Sequence, residues 1–304
     1  MLRFGHGSDE SNGSPPGPRH AGIHTFTLRD FSSDPVHRRP RLLDRHLLLL
    51  VTVGHGTQEV DFRGYPCRPG SLIWAQPGQV VHHGEPGGLD AILVSWAPEA
   101  IRELGLAPVA APPGGTGYWQ LAGEDEDAVI NEVSQLVVDC QRHPIGDVAV
   151  DLLRHQLAVL LLRLALLPGG PERDDRRDGA TDESGGTYRR LRYEIERSYG
   201  QTRRVEDYAG RLGCSVRTLT RACLAATGRS AKQIVDDRVA LEARRLLAAT
   251  DLPVAGVGRR LGFAEPTNFG RFFQREVGQS PGAFRLRHRG PARPETVLIG
   301  GSAV

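Results

Sequence analysis

The sequence predicts a multidomain chain of mixed α and β class: a β-barrel front half with a helical segment behind it, then an all-α back half. Three observations predict it. Residues 21–120 are short apolar runs separated by glycine and proline turns, the texture of an all-β barrel or sandwich. Residues 187–290 pattern as helices and repeat one helix-turn-helix motif about fifty residues apart. Residues 168–186 between them are rich in Gly, Pro and charge, which marks a flexible linker. The chain of 304 residues then divides into a disordered N-terminus (1–20), the front domain with its helices (21–167), the linker (168–186), the helical domain (187–290) and a loose tail (291–304).

In the front half, His46 to Val53 reads as a strand and Gly54-His55-Gly56 as a turn. Gln58 to Phe62 is the next strand, with Arg63-Gly64 turning; Tyr65 to Cys67 leads into Pro69-Gly70. Ser71 to Ala75, Val80 to His82 and Ala91 to Trp96 complete the set, with Pro77-Gly78 as a turn. Two helices follow, Asp125 to Gln141 and Val148 to Leu167. The second has Leu152, Leu153, Leu157, Leu160, Leu161 and Leu164 with Arg154, His155 and Arg163 between them. That seam is wider than one packed face needs; it serves packing on the barrel or a helix pair in a dimer.

In the back half, Tyr188 to Tyr199 is a supporting helix with Leu191, Ile195 and Tyr199 on one face. The motif then runs Ala209, Gly213, Leu219, Arg221, Gly228, Ser230, and again Gly258, Gly262, Phe269, Arg271, Gly278, Ser280. A small residue, a turn glycine four later and an apolar anchor on the next helix are what two short helices need to cross closely. Val205 to Leu212 and Val216 to Ala226 form the first pair; Gly213 makes the turn, Ser215 caps, Gly228 ends it. Val216, Leu219 and Cys223 are expected inside, with Arg217, Thr218, Thr220 and Arg221 outside. A long helix, Ala231 to Ala249, spaces the pairs. In the second, Val254, Val257 and Leu261 face inward, Gly262-Phe263 turns and plugs, Pro266 opens the recognition helix and Glu265 is its cap. Phe269, Phe272 and Phe273 anchor it; Thr267, Asn268, Arg271 and Arg275 point out.

Charge is uneven. The whole chain is +2, yet residues 187–290 hold 21 Lys+Arg against 10 Asp+Glu, and residues 1–186 hold 16 against 25. A basic helical domain with two helix pairs fits double-stranded DNA, one pair per major-groove segment. Lys232 is the only lysine; arginine supplies bidentate contacts to guanine and phosphate, and a GC-rich genome produces the same bias. The cysteines Cys67, Cys140, Cys214 and Cys223 are far apart with no CxxC pair, which argues for a reducing compartment and against a disulfide frame or structural zinc. With no apolar leader, and with the Leu157–Leu167 run too short to span a bilayer, the expectation is a cytoplasmic protein with no membrane partner.

The string Leu261-Gly262-Phe263, Asn268-Phe269, Arg271-Phe272-Phe273 and Gly278-Gln279-Ser280-Pro281, closing at Phe284-Arg285, resembles the DNA-binding domain of the AraC/XylS family of bacterial transcription regulators over about 190–289. The resemblance implies seven helices and contacts to two successive major-groove segments on one DNA face. By position it implies base-reading roles for Arg217, Thr220 and Arg221, and for Pro266, Thr267 and Arg271. Pro266 cannot donate a side-chain hydrogen bond, so the second pair is expected to read fewer bases. Gly258 stands where alanine is usual and is expected to loosen its helix by up to ~1 kcal/mol. For Arg221 and Arg271 the alternatives are a base edge or a phosphate.

Leu48-Leu49-Leu50-Val51 leading to Gly54, Cys67-Arg68-Pro69-Gly70 and Pro77-Gly78-Gln79-Val80-Val81-His82-His83 resemble, over about 40–98, the cupin-like arm of the same family. This implies a small barrel that binds an unknown small-molecule effector or only holds a homodimer together. His46, Trp74, His82 and Trp96 are the expected effector contacts, because aromatic and imidazole rings supply shape and hydrogen bonds. The competing class is a metal-dependent cupin enzyme with His46, His82 and Glu59 as ligands. Position 48 is leucine where a second histidine would be needed, so no catalytic residue, metal or cofactor is expected. The reading is an effector-responsive DNA-binding regulator, an activator working through RNA polymerase; an effector-free regulator with a structural barrel is its alternative.

Overall fold

A computed structural model describes residues 22–32, 39–83, 88–103, 105, 115–143, 147–167 and 183–289. The expected disordered N-terminus, nearly all of the linker and the tail lie outside these. The chain divides into two compact units at residue 184.

The front unit contains β1 (Ile23–Thr27), α1 (Leu28–Ser32), β2 (Arg41–Leu42), β3 (His46–Val53), β4 (Gly56–Val60), β5 (Arg63–Cys67), β6 (Ser71–Ala75), β7 (Val80–His83), β8 (Asp90–Trp96), α2 (Pro98–Glu103), β9 (Gly117–Gln120), α3 (Glu124–Arg142) and α4 (Asp147–Leu166). The strands form two antiparallel sheets, β1-β8-β3-β6-β9 and β2-β7-β4-β5. Alternation sends Leu47, Leu49, Val51, Ile73, Ala75, Ala91 and Leu93 to one face of the larger sheet. There they share a core with Val60, Tyr65, Cys67 and Val81 of the smaller sheet. The opposite face presents Leu48, Leu50, Leu72, Trp74, Val94 and Trp96 to α3 and α4. The larger sheet is therefore apolar on both faces, which is why β3 and β6 are continuous apolar runs.

One hairpin differs from the sequence reading. The strand expected through Phe62 stops at Val60, and the turn is Asp61-Phe62 rather than Arg63-Gly64. Both turn residues have positive φ (51° and 66°), as a two-residue hairpin of matching twist requires. Asp61 tolerates this because its carboxylate accepts from the Val80 N–H at 3.0 Å and the Gln79 amide at 2.8 Å. Tertiary contact thus specifies the turn. Strands β1, β2 and β9 and helices α1 and α2 were not expected; they are short pieces whose register comes from the strands beside them.

In α4, Leu153, Leu157, Leu160, Leu161 and Leu164 are buried. Arg163 pairs with Glu132 of α3 at 3.0 Å, and Gln156 donates to Asp139 at 2.5 Å. Gln135, Gln156 and nearby His143 and Arg142 hold the Asp139 carboxyl below its ordinary pKa against the effect of burial. Leu152 is exposed, on the opposite side from these leucines.

The back unit has seven helices among the described residues: α5 (Glu183–Ser198), α6 (Val205–Arg211), α7 (Val216–Thr227), α8 (Ala231–Ala249), α9 (Val254–Arg260), α10 (Pro266–Val277) and α11 (Pro281–Arg289). Residues 183–186, expected in the linker, form the first turn of α5. Glycine is tolerated there because the first-turn N–H groups have no intrahelical partner anyway. Leu191, Ile195, Tyr208, Ala209, Leu219, Cys223 and Val235 share one core. Around the second pair the core is aromatic: Phe263 lies 5.3 Å from Phe269 and 5.1 Å from Phe272, and Phe273 lies 5.5 Å from Phe284, centre to centre.

Gly258 is a close-packing position. A Cβ there would stand 3.0 Å from the Phe269 Cβ and 3.1 Å from its Cγ. Phe269 is fully buried between other rings and has no room to yield. Gly258→Val should therefore destabilise the helical unit by about 1–3 kcal/mol, read as a lower denaturation midpoint in far-ultraviolet circular dichroism.

Candidate nucleic-acid interface

The first unit is built around a tight connection. Gly213, at φ 66°, ends the α6 turn. Ser215 then caps α7, its Oγ accepting from the Thr218 N–H at 3.0 Å, and the two hydroxyls are 2.8 Å apart. Thr218 is thus engaged in the cap, which sets it apart from the other expected contacts. Gly228, in the left-handed region, closes the helix. Leu219, Ala222 and Cys223 face inward; burial pushes the Cys223 thiol up to about 11, so it stays protonated.

Arg217 and Arg221 are exposed and Thr220 is half-exposed. Val216, expected inside, is 38% exposed. With about 100° per residue, Val216, Thr220 and Leu224 fall on the same outward arc as the two arginines. Hydrophobicity alone points Val216 inward, but its angle from Leu219 turns it outward.

The second unit repeats the geometry with different chemistry. Gly262 (φ 76°) makes the turn and Gly278 (φ 81°) closes α10. Glu265 occupies the cap position, yet its side chain makes no cap hydrogen bond. Pro266 at the first helical position compensates, because it has no N–H to satisfy. Pro266, Thr267, Asn268 and Arg271 are exposed together on the face opposite Phe269, Phe272 and Phe273.

Arg275 is different. It pairs with Glu276 at 2.6 Å and with Asp236 of α8 at 3.4 Å, and its guanidinium lies 5.5 Å from the Phe272 ring centre. It ties the recognition helix to α8, a role that its outward helical position does not reveal.

Helix α8 holds both units. Its N-terminus carries a reciprocal capping box between Ser230 and Gln233. It packs on α6, α7, α9, α10 and α11. Asp236, nearly buried, receives Lys232 and Arg275. Arg238 is held by Glu196 at 2.8 Å and Glu242 at 3.0 Å and lies 3.9 Å over the Tyr199 ring. Burial disfavours the Arg238 charge, but Glu196 and Glu242 outweigh it and raise the pKa above its ordinary range. Arg203, before α6, stacks 3.5 Å over Phe263 of the second unit. Arg285 donates to the Leu247 and Leu252 carbonyls. These contacts lock the two reading faces to one frame.

In the front unit, the expected effector contacts separate. His46, Trp74 and Trp96 come together on the helix-covered face of the larger sheet. Trp74 Nε1–H donates to His46 Nδ1 at 3.3 Å, and the His46 and Trp96 rings stack at 5.3 Å. The Trp96 N–H is buried with no hydrogen-bond partner. His82 lies in the other sheet, registered against Glu59. Alternation points both away from the inter-sheet core that Val60 and Val81 enter. His46, His82 and Glu59 therefore do not converge on one metal. No group of three His, Cys, Asp or Glu residues among the described residues is disposed to bind a metal ion. No described helix is long and apolar enough to cross a membrane.

Residues 208–287 match a family model described as a helix-turn-helix domain. The chain is 24% identical over 256 residues to the HTH-type transcriptional activator RhaR of Klebsiella pneumoniae subsp. pneumoniae, spanning 81% of this chain and 86% of that protein. It is 24% identical over 249 residues to the HTH-type transcriptional activator RhaS of Escherichia fergusonii, spanning 80% and 85%. Among solved structures, the DNA-binding domain of AdpA, a global transcriptional factor in complex with a target DNA, is 31% identical over 36% of this chain and 95% of that one, with a TM-score of 0.31.

Burial lowers the His46 pKa from 6.5 to about 4, opposed weakly by Glu99. The ring is neutral when folded, as its acceptor role at Nδ1 requires. The unfolded chain therefore binds the extra proton first as pH falls. Stability from this site is complete above pH 6.5 and is lost towards pH 4, by at most roughly 3 kcal/mol. All three tryptophans lie in the front unit, so their fluorescence melts should show this loss between pH 6.5 and 5, and His46→Phe should flatten it.

Proposed function

The chain belongs to the AraC/XylS family of transcription regulators, and on that premise we propose that it is a sequence-specific DNA-binding activator working in the cytoplasm, with no catalytic role. One observation carries the reading: two recognition helices, each opened by a glycine turn and closed by a left-handed glycine, present Arg217 and Arg221, and Thr267 and Arg271, from one rigid frame. An arginine fork matches the two major-groove acceptors of guanine, worth about 1–3 kcal/mol of discrimination. Arg217, Thr220, Arg221, Pro266, Thr267, Asn268 and Arg271 form the reading surface. Thr218 supports it through the cap and Arg275 through Asp236. RNA polymerase is the partner of the activated complex, by family likeness.

The front unit dimerises the chain through α4. Val148, Leu152, His155, Val159, Leu162 and Leu166 recur at alternating spacings of four and three, the spacing of a helix-pairing seam. Four of them, Val148, Leu152, Val159 and Leu162, are 84, 40, 44 and 46% exposed, and Leu166 is 73% exposed. Helix α4 thus has a second apolar face after its first is buried. The effector contacts we propose are His46, Trp74 and Trp96; the unpartnered Trp96 N–H supports this by offering a donor. The apolar inter-sheet core leaves the helix-covered face as the effector site of this reading; the second reading is a barrel that only dimerises. A shift of tryptophan fluorescence on adding small molecules separates the two.

Selection of genomic fragments by the full-length protein at near-physiological salt should recover a few promoter sites with two elements about one helical turn apart; recovery without sequence preference overturns the reading. Arg221→Ala should weaken binding roughly tenfold and relax base preference in one element only, while a uniform loss across sequences makes Arg221 a phosphate contact. The double substitution Val159→Glu with Leu162→Glu should give a monomer in sedimentation equilibrium; a persistent dimer would place the interface elsewhere.

A further inference from the structure

Most glycines of the helical unit have a visible reason. Gly213, Gly228, Gly262 and Gly278 have positive φ. Gly258 lies against Phe269, and Gly186, Gly256, Gly282 and Gly210 lie in first or last turns, where a helix tolerates glycine. Gly270 has none of these. It is the fifth residue of the twelve in α10, at helical φ, and a Cβ built on it would meet nothing within 4 Å. Glycine inside a helix weakens it relative to alanine, so the fold gains nothing from Gly270.

Its position explains it. With about 100° per residue, Gly270 lies on one flank of the outward arc, between exposed Pro266 and Gln274 and about 60° from Thr267, and it is half-exposed. In α7 the matching position, one residue before the exposed arginine, is Thr220. We propose that Gly270 is a specificity-determining gap in the second reading face: without a side chain there, the backbone of α10 comes directly against the DNA, and the short side chain of Thr267 and the guanidinium of Arg271 reach the base edges. A methyl group would stand about 1.5 Å out from the helix backbone and hold that flank of the face off. Pro266, which has no polar reach of its own, is useful only in a head that docks this closely. The inference rests on the DNA-reading function proposed above.

The test uses the full chain, wild type and Gly270→Ala, with a pool of random-sequence duplex DNA. The bound fraction is sequenced, and affinity is measured on the duplex the wild type prefers. The alanine variant should melt roughly 4 °C higher, since it gains helix propensity and clashes with nothing. It should bind about tenfold more weakly, with preference flattened only in the element that Arg221→Ala leaves intact. Opposite signs in stability and binding are an outcome that a purely structural glycine cannot produce. A variant that melts higher and binds with unchanged affinity and preference overturns the proposal; so does a lower melting point, or a loss spread evenly over both elements. A wild type that selects no sequence overturns the DNA-reading function itself, before any variant is compared.

Discussion

Burial of the long helix α8 is the constraint on which the DNA-reading half depends. A helix of 19 residues is roughly 28 Å long, comparable with one turn of B-form DNA at about 34 Å. Helix–turn–helix pairs packed along such a spine are held at a fixed separation. The spine cannot turn freely under them. Val235, Val239, Ala243, Leu246 and Leu247 are buried along its length. Its charged residues are tied outward to other helices: Asp236 to α10 and Arg238 to α5. Buried ion pairs of this kind contribute little net stability against an apolar alternative. Their value here is angular, since each joins α8 to a different helix.

The two reading heads are built alike and equipped differently. The first has a mainly aliphatic core around Leu191, Ile195, Leu219 and Val235, a serine cap with a real hydrogen bond, and a face with two arginines and exposed Val216 and Leu224. The second replaces that core with five phenylalanines, the cap with a proline, and the face with small residues around a single free-standing arginine, Arg271. Larger core rings push the helices apart unless something small receives them, and Gly258 does so against Phe269. The apolar core and the turn chemistry therefore compensate each other within each unit.

In the front unit the organising fact is that one sheet is covered on both sides. Its inner face closes against the smaller sheet and its outer face receives α3 and α4. Residues adjacent in sequence consequently serve different cores. Leu47 and Leu49 face one, and His46, Leu48 and Leu50 the other. Neutral His46, accepting from Trp74, is the polar residue that the second core admits, and burial disfavours its charge.

Local chemistry determined much of this protein in advance. The bounds of β3, β6 and α8 follow from apolar periodicity and turn residues. Both helix-turn-helix units were legible because glycine at positive φ and an apolar anchor leave a fixed spacing in the chain. The exposed arginines follow from that same spacing. Tertiary structure alone decided the rest. The Asp61-Phe62 turn exists because Gln79 and Val80 donate to Asp61 from another strand. Short strands such as β2 and β9 exist because a longer strand offers them an edge. His46, Trp74 and Trp96 meet while His82 does not, because strand alternation and sheet membership assign each side chain a face. Arg275 turns to Asp236 through a contact made across a gap of many residues in the chain. Spacing within a helix is a local property that one stretch of residues specifies. Which face meets which partner depends on residues that only folding brings within reach.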